Sequence, residues 1–153
     1  MKQKLYLDVC SLNRPFDDQL QDRIRLEAEA VLSILYRCEI GEFELLTSDV
    51  IDVEVSNMLN LEKQQKVLTL LEIADEKISL SSSIEKRAQM FQSEGIKLFD
   101  ALHIASAEDG GALAFITTDD RLERSASKIS TKIVVVNPVK WLMEVFFNER
   151  SDA

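Results

Sequence analysis

Short, nearly unbroken apolar stretches alternate along this chain with longer segments of helical periodicity, and that alternation restricts the fold more than any other feature. The stretches are Lys4–Leu7, Phe43–Thr47, Lys77–Leu80, Leu113–Thr117 and Lys132–Val136. A strand that is apolar at nearly every position is covered on both faces, which is the situation of a parallel sheet between helix layers. The expected class is therefore α/β, a three-layer α/β/α sandwich with a mainly parallel central sheet.

The intervening segments supply the helices. From Asp22 to Ile40 the apolar residues Ile24, Ala28, Val31, Leu32 and Leu35 recur at helical spacing, with Arg23, Arg25, Glu27 and Glu29 on other faces. Ser48 suits the N-cap of a helix running from Asp49 to about Leu61. A further helix is expected over Glu62–Ala74. Ser82 with Glu85 has the spacing of a capping box for the helix that stops near Gly95. Phe99–Glu108 reads as a helix closed by Gly110 and Gly111, and Pro138 opens a terminal helix carrying Trp141, Val145 and Phe146. Residues 13–18 read as a loop. A chain of 153 residues with 4 Gly and 2 Pro has room for one domain with short connections, placed here at 1–148 with a tail over 149–153.

Eighteen basic against twenty-seven acidic residues give a net charge of −9, so bulk charge cannot attract a phosphate backbone and any nucleic acid must be held locally. The longest apolar run, Ala112–Ile116, has five residues against the roughly 18 of a membrane helix. Asp8 interrupts the N-terminal apolar run before a signal-peptide core can form. Cys10 and Cys38 are isolated, without metal-type spacing, as expected of reduced thiols in a cytoplasmic protein.

Ligands of an open parallel sheet bind beyond the carboxyl ends of its strands. Asp8 ends the first strand, Asp119 follows Leu113–Thr117, Asp100 opens a helix and Glu54 lies in the early half of another. Singly, each has an ordinary structural reading: a strand-end cap, an Asx turn, a first-turn acid, a solvated helix acid. Gathered at one sheet edge they would repel and raise one another's pKa, a cost that a hard cation removes. Mg²⁺ or Mn²⁺ suits such oxygen ligands and can activate water for phosphodiester hydrolysis. Ser11, Asn13, Arg14, Thr117 and Thr118 are placed in sequence to hold phosphate. His103, the only histidine, is expected to be a buried partner rather than a general base. A Cys10–His103 nucleophilic pair lacks an orienting third group.

Tyr6-Leu7-Asp8, the segment Ser48–Asn57 with Glu54, Phe99-Asp100-Ala101-Leu102-His103-Ile104-Ala105 and Ile116-Thr117-Thr118-Asp119 together resemble the PIN-domain ribonucleases, in particular single-domain prokaryotic members such as the VapC toxins. The resemblance implies a PIN-like fold and a metal-dependent endoribonuclease in which Asp8, Glu54, Asp100 and Asp119 bind Mg²⁺ or Mn²⁺ and do the catalysis. Ser11, Thr117 and His103 would support them and Arg14 would touch substrate. It also implies a homodimer with RNA as substrate and a small antitoxin as partner. Asp120 stands beside Asp119 as an alternative fourth ligand. Residues 13–18 form a longer loop than the VapC pattern has.

Three other readings are open to the same residues. A haloacid-dehalogenase-type phosphatase needs a second Asp two residues after Asp8, where Cys10 stands. A receiver-like phosphoacceptor needs paired acids on the first strand and a lysine after the last, whereas Lys140 lies beyond Pro138. A non-catalytic PIN-like interaction domain would keep the fold and lose the acids, and all four are present.

Overall fold

The protein is described by a computed structural model covering residues 2 to 151. Met1 and the end of the expected C-terminal tail, residues 152 and 153, lie outside the described residues. Five strands, β1 (Lys4–Leu7), β2 (Glu44–Ser48), β3 (Glu76–Ile78), β4 (Ala114–Ile116) and β5 (Val134–Val136), form one sheet in the order β3-β2-β1-β4-β5. Every pairing is parallel, with Leu5 opposite Leu45 on one side and Ala114 on the other. The expected mainly parallel sheet is thus wholly parallel, a three-layer α/β/α sandwich.

The helices are α1 (Val9–Asn13), followed by a 3₁₀ turn (Arg14–Phe16), α2 (Asp22–Glu39), α3 (Asp49–Ser56), α4 (Leu61–Leu71), α5 (Ser82–Ser93), α6 (Leu98–Asp109), α7 (Asp120–Ala126) and α8 (Pro138–Ser151). Helix α5 packs on α6, and α2 on α8. The central strands are dry, with Leu5, Tyr6, Leu46, Phe115 and Ile116 fully buried against Ile34, Phe91 and Ile104 from the helices. Gly110 ends α6 against β2 and β3, where a Cβ would stand 2.8 Å from Leu46 Cδ1 and Ile78 Cδ1, so any side chain there would force those methyl groups to shift.

Several local expectations change. The loop over 13–18 contains the end of α1 and the 3₁₀ turn, with Pro15 at its start, where a missing N–H costs nothing. The helix expected to reach Leu61 stops at Ser56, because Asn60 accepts from Lys63 N and starts α4 afresh. Ser81, not Ser82, caps α5 by accepting from Ile84 N. Helix α7 was not anticipated; its seven residues bury only Leu122 and Ala126. On α2 the buried face includes Ala30, Ile34 and Cys38, while Leu32 is exposed and Glu27, expected on a polar face, is buried.

Candidate active site

The strand order reverses direction between β1 and β4: the chain steps outward from β1 through β2 to β3, then returns to place β4 and β5 on the other side. Loops diverge at such a switch point and leave a crevice beyond the strand ends. Asp8 leaves β1 and Asp119 follows β4, so both flank it.

Asp8 is buried and caps α1, its Oδ1 accepting from Ser11 N at 3.0 Å and from the Cys10 thiol at 3.1 Å. Its own amide donates to Ile116 O, and Ser11 Oγ donates to the same carbonyl at 3.0 Å, which ties the two strand ends together. Asp119 caps α7, its Oδ1 accepting from Arg121 N and Leu122 N, while its amide donates to Thr117 Oγ1 at 3.1 Å. The structural readings of Asp8 and Asp119 as caps therefore hold, and each cap uses one carboxylate oxygen.

Asp100 lies in the first turn of α6. Its carboxyl is pushed above the usual range by burial first, then by the negative charges of Asp8, Asp119 and Glu54, with His103 opposing. The repulsion puts Asp8, Asp119 and Glu54 within electrostatic reach of Asp100. Asp8 is raised as well, chiefly by burial, against hydrogen bonds from Thr117, Cys10 and Ser11. Glu54 on α3 has its Oε1 2.8 Å from His103 Nε2. Among the described residues, no three His, Cys, Asp or Glu side chains are placed to hold a metal ion by themselves. The donor set nevertheless fits a hydrated Mg²⁺ or Mn²⁺, which keeps several waters and needs only one or two carboxylates.

The remaining candidates divide. Ser11 and Thr117 are buried at the ends of β1 and β4, Ser11 on the Ile116 carbonyl and Thr117 on the Asp119 amide. His103 is buried and bonded to Glu54 and Tyr6, not to Cys10. Although Cys10 is exposed at the surface, its thiol is pushed up by its desolvated setting and by Asp8, the opposite of an activated thiolate. Arg14 turns away to ion pairs with Asp17 and with the buried Glu27, each at 3.0 Å. Asp120 is engaged by Arg23 on the surface and held below the usual carboxylate range by it. Sequence reading missed Arg124, which lines a cleft of about 460 Å³ with Lys97, Arg121, Asp100 and Asp119. Among the arginines whose side chains are described, Arg121 and Arg124 have no carboxylate in ion-pair distance. The i, i+3 spacing of two arginines after Thr117-Thr118-Asp119 was the available signal.

A family model described as the PIN domain matches residues 16–128. The chain belongs to the PIN domain family. The matched span holds Glu54, Asp100 and Asp119, while Asp8 precedes it and joins the site through the β1–β4 pairing. Two solved structures share the PIN fold. That of VapBC2 from Rickettsia felis, bound to a DNA fragment from their promoter, matches with a TM-score of 0.59 at 14% identity over 88% of this chain and 98% of that one. That of PAE2754 from Pyrobaculum aerophilum matches with a TM-score of 0.56 at 14% identity over 92% of this chain and 86% of that one. No curated protein matches the sequence. No helix among the described residues is long and apolar enough to cross a membrane.

Proposed function

We propose that this PIN domain is a Mg²⁺- or Mn²⁺-dependent endoribonuclease, with Asp8, Glu54, Asp100 and Asp119 as its acid site. The observation that carries the reading is the position of Asp100, half-buried in the first turn of α6 within reach of Asp8, Asp119 and Glu54 and without an ion pair among the described residues, a crowding that with burial pushes its carboxyl up against the opposing pull of His103. A protein retains such a cost where charge compensation comes from outside. A bound divalent ion supplies the missing positive charge and lowers the pKa of a coordinated water. The chain's own residues hold the acids apart: Ser11 and Thr117 fix Asp8 and Asp119 at the strand ends, and α6 carries Asp100 between them.

Substrate phosphates are held by Lys97, Arg121 and Arg124, which line the cleft beside Asp100 and Asp119, rather than by Arg14, whose guanidinium is committed to Asp17 and Glu27. This local placement lets a chain of net charge −9 bind a polyanion. The likeness to VapBC2 supports reading the chain as a toxin held in check by a small antitoxin, and we propose in addition that it acts as a homodimer in the cytoplasm. The test is cleavage of single-stranded and structured RNA after EDTA treatment. Activity is expected to disappear and to return with Mn²⁺ or Mg²⁺; undiminished turnover in chelator would remove the metal from the mechanism.

A further inference from the structure

Tyr6, Ser48, His103 and Glu54 form a hydrogen-bonded chain that ends on the acid cluster, and counting its donors fixes its direction. Tyr6 Oη lies 2.7 Å from Ser48 Oγ and 2.6 Å from His103 Nδ1, and His103 Nε2 lies 2.8 Å from Glu54 Oε1. At the other end Ser48 caps α3, its Oγ accepting from Ile51 N at 3.1 Å. Tyr6, Ser48 and His103 are all buried. Buried polar groups need partners, so the protons must be distributed to satisfy each one.

With Ser48 accepting from Ile51, its hydroxyl donates to Tyr6 Oη. Tyr6 then donates to Nδ1, which must present a lone pair, and the imidazole proton sits on Nε2, aimed at the Glu54 carboxylate. The opposite tautomer would set an unprotonated Nε2 against a carboxylate oxygen, two acceptors at 2.8 Å. An imidazolium donating both ways would turn the Tyr6 proton onto Ser48 and leave the Ser48 hydroxyl proton stranded.

We propose that Tyr6 and His103 are positioning residues: the buried chain from Ser48 fixes the Nε2–H tautomer of His103 and thereby aims the Glu54 carboxylate at the acid cluster. The chain starts at Ser48 at the end of β2, crosses Tyr6 in β1, two residues before Asp8, and passes through His103 on α6, one turn after Asp100. The elements that carry two of the other acids thus also set the direction of Glu54. The assignment rests on the reading of Glu54 as a member of the acid site.

His103 is the only histidine, so ¹⁵N-histidine NMR of the full chain reads it without assignment. A single Nε2–H tautomer is expected, with its Nε2 signal displaced in Glu54→Gln; an Nδ1–H tautomer, an averaged ring, or no displacement overturns the proposal. In RNA cleavage, His103→Asn keeps a group beside Tyr6 but cannot reach Glu54, and should raise the Mn²⁺ concentration for half-maximal rate by about 10–100-fold. His103→Gln, which puts its amide nitrogen near the place of Nε2, should recover most of that loss. Equal losses in both variants, with melting curves like the wild type, would reduce His103 to a packing residue. A wild-type chain that cuts no RNA would remove the ribonuclease reading, while the NMR result would still decide the chain's direction.

Discussion

Helix α6 carries an acid near each end, and the two are treated in opposite ways. Glu108, at the C-terminal end, is held by Nε and Nη2 of Arg87 at 2.8 and 3.3 Å, by the Thr131 hydroxyl at 2.6 Å and by Lys132 N at 3.1 Å. Although burial works against its charged form, these donors bring its carboxyl below the usual range. Asp100, in the first turn, meets burial together with three like charges and is pushed up. Glu108 is thus a finished structural clamp that joins α5, α6 and the approach to β5. Asp100 is left uncompensated, which costs stability unless something supplied from outside completes it.

The largest consequence of this contrast is in catalysis. Asp100→Asn should lower metal-supported RNA cleavage by at least about a hundredfold, an effect of the size seen when charge stabilisation is removed from a transition state. Glu108→Gln should keep the wild-type rate per folded molecule. Comparable rates in the two variants, measured at saturating Mn²⁺, would erase the distinction.

Metal should repair one end of the helix and leave the other alone. Mn²⁺ at about 100 times its dissociation constant should stabilise the wild type by about 2.7 kcal/mol, visible as a rise in Tm. Asp100→Asn should lose most of that rise and melt higher than the wild type in EDTA, since the substitution removes repulsion. If it melts lower in EDTA, the carboxylate of Asp100 is not a source of strain.

A smaller effect belongs to the clamp. Glu108→Gln should cost about 1–2 kcal/mol, the range of charge-assisted hydrogen bonds discounted for partial exposure, and chemical denaturation in EDTA would read it. The pH dependence should be smaller still and of opposite sign at the two ends. Raised carboxyls such as Asp8 and Asp100 favour the fold most when protonated, and that contribution fades as pH rises from the ordinary aspartate value through their elevated folded values. The lowered Glu108 contributes above its ordinary value, and its share is lost as pH falls through its folded value. Unfolding midpoints from pH 3 to 7 in EDTA should therefore show a less adverse response to rising pH in Asp100→Asn than in the wild type, and a flatter acid limb in Glu108→Gln.

The sheet was legible because its strands are apolar on both faces, and a parallel sheet demands that. Asp8, Asp100 and Asp119 stood out because each follows a strand or opens a helix, where an open sheet gathers its ligands, whereas Glu54, expected in the early half of its helix, lies in the last turn of α3 because that helix stops at Ser56. What remained hidden depends on long-range geometry. Helix α7 is short and mostly polar, so periodicity gave no warning of it, although Asp119 with Leu122 and Ala126 marks its cap and buried face. Glu27 looked solvated on its helix, yet Arg14, Arg23 and Asn137 reach it from the first turn, its own helix and the end of β5. The hydrogen-bonded chain from Ser48 to Glu54 joins residues up to 97 apart in sequence, and nothing local to Tyr6 announces it beyond a phenol in an otherwise aliphatic strand.

The central claim, that the uncompensated acids around Asp100 are a divalent-metal site, is tested most directly by titrating the protein with Mn²⁺ and following the EPR signal of the free ion. The wild type and Glu108→Gln should each remove Mn²⁺ from solution with a defined stoichiometry, and Asp100→Asn should remove little. A free-ion signal undiminished by the wild type, or reduced equally by Asp100→Asn, would contradict it.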